Sequence, residues 1–196
     1  MSSNNGIIDW GCVAGNPNFK VDFAVIKSCE GVGYNDPQRA LNALNAKEAG
    51  IKISFYHFAS LNSLDVIKDS TAEAEYFMKS MSLLPKADLP PVLDIETNKI
   101  GLTKIEVQNW INNFIKIVQK SYPTVVLYSY GPFLNENLPD DHDLGSIPLW
   151  LAQYTNAVAP RLPNGWNMHY MWQYSCKGQV AGIKGSVDLN RMKTSL

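Results

Sequence analysis

No stretch of this chain approaches the ~18 consecutive apolar residues of a membrane span. Its start, Met1-Ser2-Ser3-Asn4-Asn5-Gly6, has neither the basic segment nor the apolar core of a signal peptide. Charge of either sign is also scarce. The 17 Lys and Arg stand against 18 Asp and Glu, a net charge of -1, and the cations are scattered along the chain. That balance removes the electrostatic footprint of a protein that binds nucleic acid or an anionic membrane. Cysteine occurs only as Cys12, Cys29 and Cys176, none in a C-x-x-C spacing, so neither a disulfide framework nor a zinc site is indicated. Internal repeats, low-complexity segments and interdomain linkers are lacking, and the loop-like stretch from Val158 to Asn167 comes too late to divide two domains. What remains is one globular domain over residues 1–196, with 45% hydrophobic content to fill its core.

Aromatic residues, in contrast, reach 11%, with five Trp and nine Tyr, a composition suited to stacking on sugar faces. The most informative stretch is Leu89-Pro90-Pro91-Val92-Leu93-Asp94-Ile95-Glu96, an apolar run that ends in two acids. Side chains two apart on a strand share one face, roughly 6.5–7 Å apart, so Asp94 and Glu96 lie together while Ile95 packs the other side. Burial and mutual repulsion in such a pair can leave one carboxyl protonated beside an ionised partner, as cleavage of a glycosidic bond requires, although a lone D-x-E also fits a strand that simply ends in solvated acids.

Further runs surround it. Gly6-Ile7-Ile8-Asp9 reads as a short strand with Asp9 at its C-terminal end, and Phe23 to Ser28 as a second, leading to Cys29-Glu30-Gly31. Asp36-Pro37 offers an N-cap and first-turn proline to a helix that stops before Gly50. A third run spans Ile51 to Phe58. Ala74, Phe77, Met81 and Leu84 then recur at helical spacing. Thr103-Lys104-Ile105-Glu106 is a capping box opening a helix whose core stripe includes Trp110. Runs at 125–130, 148–153, 170–174 and 186–189 bring the expected strands to eight. Alternation with helices in the first two-thirds predicts an α/β fold, a (β/α)8 TIM-like barrel that is small and has short or missing late helices. In a barrel, Asp9, Asp94, Glu96 and Asp188 would converge on the mouth formed by the strands' C-terminal ends, with Tyr56, Tyr128, Trp150 and Trp172 on other strand ends around them.

In these motifs and in their order, the sequence resembles the family 25 glycoside hydrolases, the muramidases of phage lysins and bacterial autolysins. The resemblance rests on Asp9 after a Gly-Ile opening, Phe23 to Lys27 with Glu30-Gly31, and Tyr56-His57-Phe58-Ala59. It continues through Leu89 to Glu96, Leu149 to Tyr154, Trp172 to Ser175 and Val187-Asp188-Leu189-Asn190. It implies a flattened, incomplete barrel that cleaves the β-1,4 bond between N-acetylmuramic acid and N-acetylglucosamine in bacterial peptidoglycan. Glu96 would be the general acid. Asp94 would either orient the substrate's 2-acetamido group or assist a water, Asp9 and Asp188 would frame the site, and Glu30 would support it. Neither metal nor cofactor is implied. A monomer without a separate wall-binding domain is expected, acting on the wall after release or export. The alternative is a wall-binding module of the same fold without catalysis. The longer run of alternating acids found in chitinase-like families is absent, since Val92 precedes Asp94.

Two other candidates read as structural. His57, inside an apolar run, is expected as a hydrogen-bonded core histidine, and Asp140-Asp141-His142-Asp143, between Pro139 and Gly145, as a solvated loop.

Overall fold

The computed structural model describes residues 1–17 and 19–193. Its frame is a single sheet of eight strands in the order β2-β1-β3-β4-β5-β6-β7-β8. Strands β1 (Phe23–Glu30), β3 (Lys52–Phe58), β4 (Val92–Asp94), β5 (Val126–Tyr130), β6 (Leu149–Ala152) and β7 (Met171–Gly178) run parallel. The short β2 (Tyr34–Asn35) lies antiparallel on the end of β1, and β8 (Val187–Met192) returns antiparallel to β7. The sheet curls into a half-barrel.

Helices α2 (Arg39–Glu48), α3 (Val66–Ser82) and α4 (Lys104–Val118) connect the early strands, and α5 (Gly131–Asn137) is a short link between β5 and β6. Sequence chemistry sets their ends. Asp65 caps α3 by accepting the Lys68 N–H, and Thr103 with Glu106 forms the expected capping box of α4. Asp36 does not cap α2 directly. It accepts the N–H groups of Gln38 and Ser3, and the helix starts after Gln38. Trp110 and Phe114 of α4 are fully buried against the covered sheet face, alongside Phe77 of α3 and Leu93, Ile95 and Leu127 of the strands. Phe114→Ala would cost ~3–5 kcal/mol through lost burial and the resulting cavity. The opposite, concave face carries a second apolar layer, Val25, Val92, Val126, Tyr128, Trp150 and Met171.

Two expectations change here. Gly6 to Asp9 forms no strand; a 3-10 turn (Ser3–Asn5) leads instead into the short helix α1 (Trp10–Ala14), and the eighth strand is the unanticipated β2. The run from Ile7 is too short and too exposed to pair, Ile7 being 81% exposed. The barrel does not close, since among the described residues β1 and β8 do not pair and β8 is antiparallel. Before the point where β2 pairs, Met1 meets the outer edge of β1, its amine donating to the Val25 carbonyl and its carbonyl accepting the Lys27 N–H, each at 2.8 Å. The late helices are missing, as expected: among the described residues no helix follows β6 or β7.

Candidate active site

Pro90 and Pro91 can stand at the start of β4 because their carbonyls, not N–H groups, are used there: Ser54 Oγ donates to Pro90 O, and the Val126 N–H to Pro91 O. Beyond Asp94 the chain stays extended, since the Ile95 N–H donates to Tyr128 O and Ile95 O accepts from Ser129 Oγ. With Ile95 pinned to the core, Asp94 and Glu96 both turn to the concave face. They open into a cavity of about 350 Å³ between β1 and β8, also lined by Lys27, Tyr56, Tyr128, Trp150, Gln173 and Asp188. Asp188, nearly a hundred residues later in sequence, thus shares the cavity with the acid pair.

Asp94 and Glu96 stand close enough for a carboxyl–carboxylate hydrogen bond whenever one of them is protonated. Burial, then the charge of Glu96 and this bond, push Asp94 well above the ordinary carboxylate range, against the pull of Lys27 and the Met1 amine. Glu96 is raised less: burial raises it, the bond from Asp94 lowers it, and Asp188 raises it again. The pair therefore holds a proton at a pH where separate carboxyls have lost theirs. Asp94 Oδ1 is buried and has no hydrogen-bond partner among the described residues, leaving an acceptor free for a ligand N–H.

The aromatic residues divide. Tyr128 donates its hydroxyl to Gln173 Oε1 at 3.1 Å and packs edge-on to Trp150, 4.7 Å between centroids. Trp150 in turn donates from Nε1 to Asn190. Trp172, expected in the site, faces away. Register pairs Trp150 with Met171, so Trp172 takes the opposite face, where its Nε1 donates to Gln153 O and Arg191 lies over its ring. The functional neighbours missed in sequence are Gln173 and Asn190, which share the parity of Trp150 across β7 and β8, and Lys27 on β1. Strand parity, not aromatic character, was the signal.

Asp9 is not a strand-end acid. It caps α1, its carboxylate accepting from the Cys12 N–H at 2.9 Å and the Cys12 thiol at 3.3 Å, and those bonds hold it below the usual range. It is exposed and does not line the cavity. Glu30 is half-exposed and pairs with Lys27 at 2.6 Å. The following Gly31 adopts φ 49°, and a Cβ there would strike the Ser60 side chain.

His57 is a core residue as expected, with no exposed surface. It contacts Cys29 Sγ through Nδ1 at 3.2 Å and Glu73 through Nε2 at 2.6 Å. Burial pushes the Cys29 thiol up to about 12, so this trio is sealed and non-nucleophilic. Asp143 accepts from Gln108 and Asn112, a surface anchor for its loop. Among the described residues, no group of three or more His, Cys, Asp or Glu side chains is placed to hold a metal ion. No described helix is long and apolar enough to cross a membrane.

Comparison with known proteins agrees with this architecture. The chain is 33% identical over 204 residues to lysozyme M1 of Streptomyces globisporus, covering 100% of this chain and 67% of that protein. It is 30% identical to the autolytic lysozyme of Clostridium acetobutylicum, covering 99% of this chain but only 55% of the relative. The crystal structure of the bacterial lysozyme from Streptomyces coelicolor superposes with a TM-score of 0.85 at 31% identity, over 100% of this chain and 90% of that one. Residues 1–183 match the family described as Glycosyl hydrolases family 25, and the chain belongs to that family of glycoside hydrolases, with lysozymes among its relatives.

Proposed function

We propose that the protein is an N-acetylmuramidase that hydrolyses the β-1,4 bond between N-acetylmuramic acid and N-acetylglucosamine in peptidoglycan, with Glu96 as general acid and Asp94 as its partner. The observation that carries this reading is the convergence of Asp94, Glu96 and Asp188 on one sugar-sized cavity, with burial raising both members of the Asp94–Glu96 pair. When a glycan enters, an acetamido N–H donated to the unpartnered Asp94 Oδ1 favours the ionised form of Asp94 and leaves the proton on Glu96. Glu96 then protonates the departing sugar oxygen as the C–O bond breaks, the anionic Asp94 faces the positive charge developing at the anomeric centre, and a water forms the new C–O bond there, directly or by displacing the substrate's own acetamido oxygen, its proton returning to the carboxylate pair. Asp188 adds negative charge to the same cavity, and Tyr56, Tyr128 and Trp150 supply flat surfaces for the sugar rings. In this reading Asp9 is a helix cap, Glu30 is an ion-pair partner beside the cavity, and Trp172 supports the outer face.

The test is mass analysis of purified peptidoglycan digested with the protein. New reducing muramic acid ends are expected. Reducing glucosamine ends would replace the bond assignment with a glucosaminidase, and wall binding without any release would favour the inactive wall-binding module.

A further inference from the structure

Lys27 stands out as the cation that the proposed chemistry leaves without a task. It points from β1 into the cavity that holds Asp94, Glu96 and Asp188, and its side chain is only 15% exposed. Register places it level with Tyr56 and Val92, one strand-face step below Asp94. A lysine ammonium in that setting would normally extend toward water. Here three contacts hold it: Nζ lies 2.6 Å from Glu30 Oε2, 5.4 Å from the ring centroid of Tyr34 and 5.1 Å from that of Phe58. Both rings lie within the range of cation–π attraction. These contacts leave a fixed charge, not a mobile surface lysine.

We propose that Lys27, clamped by Glu30, Tyr34 and Phe58, is a positioning residue that fixes how the Asp94–Glu96 pair shares its proton. The proposal rests on the muramidase reading for its importance to turnover, but not for its electrostatics. Asp94 is faced by Glu96 from its own strand extension, Tyr56 from β3, Tyr128 from β5, Asp188 from β8, and the Met1 amine at the edge of β1. Lys20 and Asp22 also line the cavity, but Lys20 is 86% exposed against 15% for Lys27, so solvent screens its charge far more. Lys27 is thus the side-chain cation that opposes a surplus of acids, and it favours the ionised form of Asp94. By easing the proton off Asp94, it makes transfer to Glu96 cheaper when substrate arrives. Glu30, expected to support the site, does so by anchoring this lysine.

The experiment follows the side-chain carboxyl 13C resonances of Asp94 and Glu96 by NMR titration of the substrate-free protein, in wild type, Lys27→Met, Lys27→Gln and Lys27→Arg. Both neutral variants should raise the upper apparent pKa of the pair by roughly one pH unit, and Lys27→Arg should restore it. Unfolding curves identify any neutral variant that fails to fold, and the other then carries the comparison. An unchanged upper titration in a folded neutral variant overturns the proposal, as does failure of Lys27→Arg to restore it. Because the readout needs no turnover, it is separate from the muramidase assignment. A shifted titration in a protein that releases no muropeptides would sink that assignment and leave the role of Lys27 standing.

Discussion

The indole Nε1 of Trp150 donates to Oδ1 of Asn190 at 2.9 Å, tying β6 to β8 across the intervening β7. Asn190 lies two residues beyond Asp188, so this bond helps hold the strand that carries the third acid into the cavity. Asn190→Ala leaves a buried indole donor without its acceptor, at a cost of ~1–3 kcal/mol. The melting temperature should fall by roughly 2–4 °C for each kcal/mol lost in a chain of this size. Turnover should also fall, because Asp188 loses its anchor. Thermal unfolding and wall-lysis kinetics on the same preparation check both, and unaltered values for each would remove the bond from the account.

Glu96→Gln preserves size and leaves an amide that cannot donate the required proton. Hydrolysis should drop by at least ~10²-fold, while folding and wall sedimentation persist. Near wild-type lysis by a folded Glu96→Gln protein would falsify the assignment of Glu96 as the acid.

The three thiols are assigned no chemistry, and their environments differ enough to test this. Cys29 has no exposed surface and its thiol is raised to about 12, whereas Cys12 is exposed. An alkylating reagent should label Cys12 in the native protein and reach Cys29 only after unfolding, with lytic activity retained. Glu73→Ala should bring labelling of Cys29 to milder denaturant, since it strips the partner from His57 Nε2 and from the Ser60 N–H. Native labelling of Cys29 at the rate of Cys12 would show that the trio is open to solvent.

Much of this was legible in the sequence because the signals were local. The capping box at Thr103 and Glu106, the core stripe through Trp110, the D-x-E face and the buried His57 each depend on neighbours within a turn or a strand. Asp9 failed because a short apolar run ending in an acid looks the same whether it enters a sheet or caps a helix. The deciding facts were the exposure of Ile7 and the Cys12 N–H three residues on. Trp172 failed through parity, which is set by the pairing of β6 with β7 and by nothing within β7 itself. The places of Gln173 and Asn190 depend on the same cross-strand register. The open edge between β1 and β8 was hidden because β8 forms a hairpin with β7, a pairing that depends on the intervening turn.

Asp94→Asn separates catalysis from stability, because the two should move in opposite directions. The role facing developing positive charge predicts a loss carried mainly by kcat, with a smaller change in KM. The stability argument follows from the raised Asp94 carboxyl. Between the ordinary unfolded-state value near ~3.9 and the raised folded-state value, the folded protein binds more protons than the unfolded chain. Stability contributed by this group is therefore full at acid pH and declines as pH rises through that window, the reverse of a salt-bridged aspartate. Asn avoids the burial of charge, so Asp94→Asn should match or exceed wild type in denaturant unfolding at pH 7. Its advantage should shrink toward pH 4 and vanish below it. The same raised pair predicts that activity persists above the usual carboxylate range and falls as pH rises through the pair's upper titration, when Glu96 loses its proton. A destabilised Asp94→Asn at pH 7, with its deficit shrinking toward acid, would show that the native site holds Asp94 ionised and would reverse the assigned direction of its shift.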